Sequence, residues 1–259
     1  MSRNLLPYIA CFLGLFLAAG VHVVRAESAP ATFSIPDVWP WAYESANGEQ
    51  RGSLIDLANR LAELSGIPVK TKLRPLRRVI LEIMSGQAGF TFLFGSPELD
   101  EEAVAVGKAI DVNLLLLALA PTDYPLDLRS LANQRVAYIR GTYLGEAFEY
   151  DTDVLKVPVS SVGQAVEMLM MGRISAILAS DHNILRTIQL HGLKFRHFRY
   201  QQHVEGQPAV LYRSATGGDP VHAEKFAAAL EVMAQSGELE QIFFGSDDRL
   251  RASALLFAQ

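Results

Sequence analysis

VILEIMSGQAGFTFL, residues 79–93, and AVEMLMMGRISAILA, residues 165–179, follow one pattern. Each begins with a helix-type apolar segment, passes through a glycine (Gly86 or Gly172) and ends in a wholly apolar run. Glycine provides the left-handed backbone that often ends a helix, and a short apolar run after it is typical of a buried strand. The two copies therefore predict a chain built from two similar halves, each with a helix that leads into a buried strand.

From Phe33 onward, short apolar runs alternate with amphipathic helical segments. This alternation is typical of βαβ units and predicts the α/β class with largely parallel sheets. The long apolar run Val112–Ala120 is predicted to cross from the first half to the second, and Ala209–Arg213 to return. Asp219 followed by Pro220 predicts the start of a helix near the C-terminus, because these residues favour the N-cap and first helical positions.

Residues 1–26 have the features of a secretory signal peptide. Arg3 precedes an apolar stretch, and Val24-Arg25-Ala26 matches a signal-peptidase site. A retained membrane anchor is the alternative, because the stretch approaches the roughly 20 residues that a spanning helix needs. The signal peptide is favoured, because proline, glycine and histidine interrupt the stretch. The expected product is periplasmic, with no stable membrane insertion after cleavage.

Composition excludes several kinds of site and partner. The formal net charge is −5 and becomes more negative without residues 1–26, which argues against binding nucleic acid or an anionic membrane. The only cysteine is Cys11, so we expect a mature chain without disulfides or thiolate chemistry. The histidines at 191, 197, 203 and 222 lack metal-ligand spacing. We therefore expect no metal and no cofactor, and we expect the protein to be a monomer.

Several ordered motifs carry a resemblance to a known family. They are Pro40-Trp41, Gly52 with Asp56-Leu57, Pro75 with Arg78, the two helix–glycine–strand units, Asp127 with Leu131, Gly141-Thr142, and Gly237 with Ile242. In this order they resemble the solute-binding proteins of polar amino-acid ABC transporters, bacterial extracellular solute-binding family 3. The resemblance implies a bilobed periplasmic binding protein-like fold of type II, with two α/β lobes joined by two crossover strands. Lobe 1 would comprise residues 27–118 plus 204–259, and lobe 2 residues 119–203.

The chain departs from this family at the positions that bind an amino acid. Family members carry Thr-x-x-Arg after the first-lobe strand, where the arginine binds the α-carboxylate, but this chain has Leu99 at the arginine position. The family's aspartate for the α-ammonium is replaced by Ser180. Without these two charged side chains, the carboxylate and ammonium groups of an amino acid would lose their hydration on binding and gain no ion pair in return. The sequence therefore predicts a ligand other than a standard α-amino acid, with an organic acid as one candidate.

The predicted ligand-binding residues are Trp41, Tyr43, Arg78, Phe94, Gly95, Ser96, Arg140, Gly141, Thr142, Tyr143 and Asp181. The resemblance implies an aromatic wall in the loop after the first strand and a role for the Pro-x-x-Arg arginine. Ligands of α/β proteins bind beyond the carboxyl ends of parallel strands, and a helix N-terminus accepts anions. Structural interpretations stay open, among them a capped helix at Thr142, an N-cap at Asp181, and solvated surface cations at Arg74 and Arg77.

The leading interpretation is a binding protein without catalytic activity, which holds a small molecule for an ABC transporter permease or a sensor domain. One alternative is a periplasmic dehydratase-like enzyme on the same fold, with Glu98, Asp181 or His182 as acid and base. Another is an accessory protein that binds a protein partner. The first interpretation predicts that Trp41→Ala weakens ligand binding and leaves folding nearly unchanged.

Overall fold

The computed structural model describes residues 29–121 and 123–245, so the predicted signal peptide lies outside the described residues. The strands are β1 (Ala31–Pro36), β2 (Tyr43–Glu44), β3 (Gln50–Arg51), β4 (Val69–Arg74), β5 (Phe90–Phe94), β6 (Ala103–Leu119), β7 (Arg135–Ile139), β8 (Leu155–Val159), β9 (Ala176–Ser180) and β10 (Phe198–Ser214). The helices are α1 (Ser53–Ser65), α2 (Leu76–Met84), α3 (Pro97–Glu102), α4 (Glu146–Glu149), α5 (Val162–Met170), α6 (Asp181–Leu190), α7 (Pro220–Ser236) and α8 (Glu238–Phe244), with a 3-10 helix at Phe195–His197. None of the helices in this part of the chain has both the length and the apolar character that crossing a bilayer requires.

Eight strands form one sheet in the order β4-β1-β5-β10-β6-β9-β7-β8. Strand β1 pairs in parallel with β4 and β5, and β7 pairs in parallel with β8 and β9. The antiparallel pair β6 and β10 connects these two groups. Residues Ala209–Arg213 of β10 pair with β5, and Leu114–Leu117 of β6 pair with β9. The α/β class, the bilobed topology and the two crossover strands are therefore confirmed, while the exact lobe boundaries stay a prediction.

The repeated sequence pattern forms the same local structure in both halves. Helix α2 leads through Gly86, at φ 76°, into β5, and helix α5 leads through Gly172, at φ 67°, into β9. Residues with a Cβ rarely adopt a positive φ, so a glycine at this position allows the helix to end. The apolar strands that follow lie inside the sheet, with β5 between β1 and β10, and β9 between β6 and β7.

Aromatic rings fill the core of the first half. Phe33 stacks on Phe90 at a centroid distance of 5.3 Å, and Phe226 of α7 meets Phe90 edge-on at 5.1 Å. All three side chains are fully buried. A separate apolar cluster in the second half joins β7 and β9 to α5 and α6. The larger cluster, which contains the aromatic rings, continues into the second half through Val136, Ala176 and Leu178.

Candidate functional site

A cleft of about 970 Å³ lies where the carboxyl ends of both parallel groups meet. Pro36 and Phe94, the last residues of β1 and β5, line it from the first half. Ile139 and Ser180, the last residues of β7 and β9, line it from the second half. Open α/β sheets bind ligands beyond the carboxyl ends of their strands, so this cleft is the candidate binding site.

The structure brings most of the sequence-predicted site residues to this cleft. Those that line it are Trp41, Phe94, Ser96, Arg140, Gly141, Thr142 and Tyr143. Three others lie elsewhere. The Nε of Arg78 donates to the Glu82 carboxylate at 2.8 Å, the amide of Gly95 donates to the carbonyl of Pro208, and Tyr43 pairs with Arg51 in the small hairpin β2–β3.

Asp181, the remaining predicted residue, is buried beside the crossover strands and is not among the lining residues. Its Oδ2 accepts hydrogen bonds of 3.2 Å from both the backbone N–H and the side-chain amide of Asn113 on β6. The Oδ1 of Asn113 accepts from the amide of Gly206 on β10. Burial raises the pKa of Asp181 despite the bonds that it accepts. Asp181 therefore links the start of α6 to both crossover strands.

Trp41 belongs to the core as well as to the cleft wall. Its side chain is only 6% exposed, and its ring centroid lies 4.7 Å from His182, 5.6 Å from Phe243 and 6.1 Å from Phe94. Replacing it would remove packing from both the first half and the start of α6. The expectation that Trp41→Ala leaves folding nearly unchanged is therefore contradicted by this packing.

Leu99 lies at the position where the resemblance implies an arginine, and it makes this part of the cleft apolar. Leu99 is 4% exposed, lines the cleft and packs in a cluster with Val79 and Ile83 of α2. The Oγ of Ser96 accepts a hydrogen bond from the backbone N–H of Leu99 and caps α3. Other residues of α2 extend this apolar wall along the cleft, namely Leu76, Ile80, Leu81 and Met84.

The charged side chains of the cleft lining are exposed or half-buried, whereas its fully buried polar side chains are neutral. The charged side chains, which we call the rim, are Arg77, Glu98, Arg140, Glu146, Glu149 and Lys156. All are exposed except Lys156, which is half-buried and donates to the carbonyl of Glu149 at 2.8 Å. The buried polar residues, which we call the floor, are Ser96, Ser180 and Asn183, and all three are neutral. A ligand would therefore meet charges at the rim and neutral groups at the floor.

Arg77 and Asn183 are among the lining residues that were not predicted from the sequence. Arg77 was interpreted as a surface cation, yet it lies against Gly141 of the other half, where an added Cβ would be 3.0 Å from the Arg77 Cγ. The helical stripe Leu76, Ile80 and Met84 places residue 77 beside the cleft-facing side of α2, so the periodicity could have indicated it. The sequence around Asn183 does not indicate a site residue, because Asn183 reaches the cleft only through the placement of α6.

Neither Arg77 nor Arg140 has an ion pair within the described residues. They line the cleft from opposite halves, and arginine is the preferred partner of a carboxylate. In the same part of the chain, no three histidine, cysteine, aspartate or glutamate side chains are grouped as metal ligands would be. The site chemistry that these residues offer is hydrogen bonding, charge pairing at the rim and apolar contact.

No protein-family model and no curated protein matches this sequence. Solved structures do share its fold. An ancestral arginine-binding protein bound to arginine superimposes with a TM-score of 0.73 at 18% identity and covers 85% of this chain and 100% of its own. A histidine kinase sensor domain with similarity to periplasmic binding proteins gives 0.73 at 17%, covering 85% and 98%. A substrate-binding protein of an ABC uptake transporter from Streptococcus pneumoniae, with bound histidine, gives 0.72 at 15%, covering 84% and 93%. These likenesses show the periplasmic-binding-protein-like fold, and the predicted resemblance is confirmed at that level.

Proposed function

We propose that this protein captures a small molecule in the cleft between its halves and presents it to a membrane partner, either an ABC transporter permease or a sensor domain. The observation that carries the proposal is the cleft itself, which is lined by strand ends of both parallel groups. A ligand there contacts both halves at once, so its binding energy favours their closure. The structural neighbours include both a transporter-type binding protein and a sensor domain.

The proposed ligand is an organic acid and not a standard α-amino acid. Arg77 and Arg140 provide cations from the two halves for one carboxylate, while Leu99 leaves the family's usual carboxylate position apolar. Ser180 offers a hydroxyl where the resemblance implies an aspartate for an ammonium group. An α-amino acid would therefore lose hydration from its ammonium group without gaining an opposite charge at the floor.

A binding role is favoured over the enzyme alternative by the placement of the acid and base candidates. Asp181 and His182 are buried and are not among the lining residues, so of the three candidates only Glu98 borders the cleft. General acid–base catalysis needs a group within hydrogen-bond reach of the reacting atom. No histidine is among the described residues that line the cleft.

A thermal-shift screen of the purified protein against organic acids, sugars, amines, amino acids and aromatic compounds tests the proposed function. A ligand at about 100 times its dissociation constant should add roughly 2.7 kcal/mol to the free energy of unfolding. We expect organic acids among the compounds that stabilise the protein. Calorimetry should show no common α-amino acid binding more tightly than about 100 µM, near −5.5 kcal/mol. A sub-micromolar constant for one of them would contradict the proposed ligand class.

The thermal-shift screen is repeated with two arginine variants to determine where the ligand binds. Arg77→Ala and Arg140→Ala should each weaken binding of a stabilising acid by about 1.5–3 kcal/mol, the range for a hydrogen bond to a charged group. The control is Arg213→Ala, because Arg213 lies outside the cleft lining and donates to the carbonyls of Ser214 and Gly218. Equal affinity in all three variants would show that the acid binds elsewhere.

We further propose that the protein works in the periplasm after removal of residues 1–26. The support is the apolar stretch followed by Val24-Arg25-Ala26, together with the fold shared with periplasmic binding proteins. Expressed in a Gram-negative host, the protein should be released by osmotic shock with its N-terminus near Glu27. Recovery of the uncleaved chain in the membrane fraction would refute this localisation.

A further inference from the structure

Asn183 is a buried amide on the cleft floor with an unmet hydrogen bond. The residue is 3% exposed and lines the cleft, and its Oδ1 has no hydrogen-bond partner within the described residues. Its backbone N–H donates to the Oγ of Ser180, so the local structure uses the backbone and leaves the amide oxygen unpaired. A buried polar group without a partner costs about 1–3 kcal/mol. The oxygen itself is enclosed, so a ligand group that pairs with it and recovers this cost also requires the Asn183 side chain to turn toward the cleft.

The surroundings of Asn183 determine which ligand group fits. The other buried polar residues of the floor, Ser96 and Ser180, are neutral, and all charged lining side chains belong to the rim. The nearby carboxylate of Asp181 is occupied by Asn113 and by the backbone N–H of His182. A charged ligand end at the floor would therefore be desolvated without an opposite charge. An amide pairs well with a hydroxyl or a carboxamide, because each of these both donates and accepts.

We propose that Asn183 selects organic acids that carry an uncharged hydroxyl or carboxamide at the end far from the carboxylate. In this arrangement the carboxylate pairs with Arg77 and Arg140 at the rim, and the apolar body lies between Trp41 and the apolar wall of α2. The neutral polar end reaches the Asn183 amide. This inference rests on the proposed function and names the ligand class within it.

Five para-substituted benzoates form a matched test, because they share the ring and the carboxylate and differ only at the far end. They are 4-(hydroxymethyl)benzoate, 4-carbamoylbenzoate, 4-methylbenzoate, 4-(aminomethyl)benzoate and terephthalate. Dissociation constants are measured by calorimetry and by ligand-observed NMR. We expect the hydroxymethyl and carbamoyl compounds to bind at least tenfold more tightly than the methyl, aminomethyl and dianionic compounds.

Variants of Asn183 assign this preference to its side chain. Asn183→Ala should reduce the advantage of the hydroxymethyl and carbamoyl compounds over the methyl compound by about tenfold. Asn183→Asp keeps the side-chain shape and places a negative charge near a helix N-terminus, where it is tolerated. It should raise the affinity for the aminomethyl compound relative to the methyl compound at least tenfold. The control is Thr187→Val, which removes another buried unpartnered oxygen one turn along α6 but does not border the cleft, and should preserve the wild-type order.

The possible outcomes separate this inference from the proposed function. If Arg140→Ala weakens all five compounds but Asn183→Ala leaves their order unchanged, the cleft binds acids and the role of Asn183 is wrong. A wild-type preference for the aminomethyl compound or for terephthalate also overturns it. Failure of the hydroxymethyl and carbamoyl compounds to bind overturns this inference, while acids found in the thermal-shift screen would leave the proposed function standing.

Discussion

Trp41→Ala should lower the free energy of unfolding by about 3–5 kcal/mol, the range for truncating a buried large aromatic residue. The indole is almost fully buried and contacts the rings of Phe94, His182 and Phe243, which come from three separate segments of the chain. Its loss would leave a void where the two halves meet. Urea unfolding of the wild type and the variant measures the change.

Tyr43→Ala is the matched control for this loss of packing. Tyr43 lies two residues further along, is half-buried and belongs to the small hairpin outside the cleft lining. Its replacement should cost about 1 kcal/mol or less. Equal losses in the two variants would contradict the central packing of Trp41. Trp41→Phe keeps an aromatic ring, and is therefore the better variant for measuring the contribution of Trp41 to ligand affinity.

The fold was predictable because its signals are local. The helix–glycine–strand units appear in the sequence as apolar periods that end at a residue able to adopt positive φ, and both form as predicted. The helix start at Asp219 was predictable for the same reason, since its Oδ1 accepts from the backbone N–H of Val221 and Pro220 follows it. Each of these features is determined within a few residues of chain.

Of the predicted residues that line the cleft, Trp41 comes from the resemblance and the others come from strand ends. Phe94 and Ser96 follow from the end of β5, and the Arg140–Tyr143 segment from the end of β7. Arg77 was missed although the helical stripe of α2 places it beside the cleft, where it lies against Gly141 of the other half. Asn183 and Asp181 differ by two positions on α6, yet one lines the cleft and the other binds a crossover strand. Such differences depend on how α6 packs, and no single segment encodes that packing.

His182 is expected to make the stability of the protein depend on pH. His182 is 3% exposed, and its ring centroid lies 4.7 Å from that of Trp41 and 5.7 Å from that of Phe244. Through this ring, α6 of the second half packs against the first half. Burial, with a smaller contribution from the positive charge of Arg186, lowers the pKa of His182 from 6.5 to about 4. The ring is therefore neutral in the folded protein near neutral pH.

The direction of the effect follows from comparing the two states. As the pH falls below 6.5, the unfolded chain binds a proton on His182, whereas the folded protein does so only near pH 4. The contribution of His182 to stability is thus fully present above pH 6.5 and is lost between pH 6.5 and 4. It amounts to about 3 kcal/mol, because one pKa unit corresponds to about 1.4 kcal/mol. The raised pKa of Asp181 acts in the opposite direction, since the folded state then binds its proton more readily.

His182→Gln separates these two contributions, because the variant retains Asp181 and lacks the histidine. Urea unfolding between pH 7.5 and 4 should show that the stability of the wild type relative to His182→Gln falls by about 3 kcal/mol over this range. His191→Gln is the control, because His191 follows the last residue of the same helix and is exposed. Parallel pH profiles for the wild type and His182→Gln would mean that the ring is not excluded from water, and that the contact between Trp41 and α6 is looser than the structure shows.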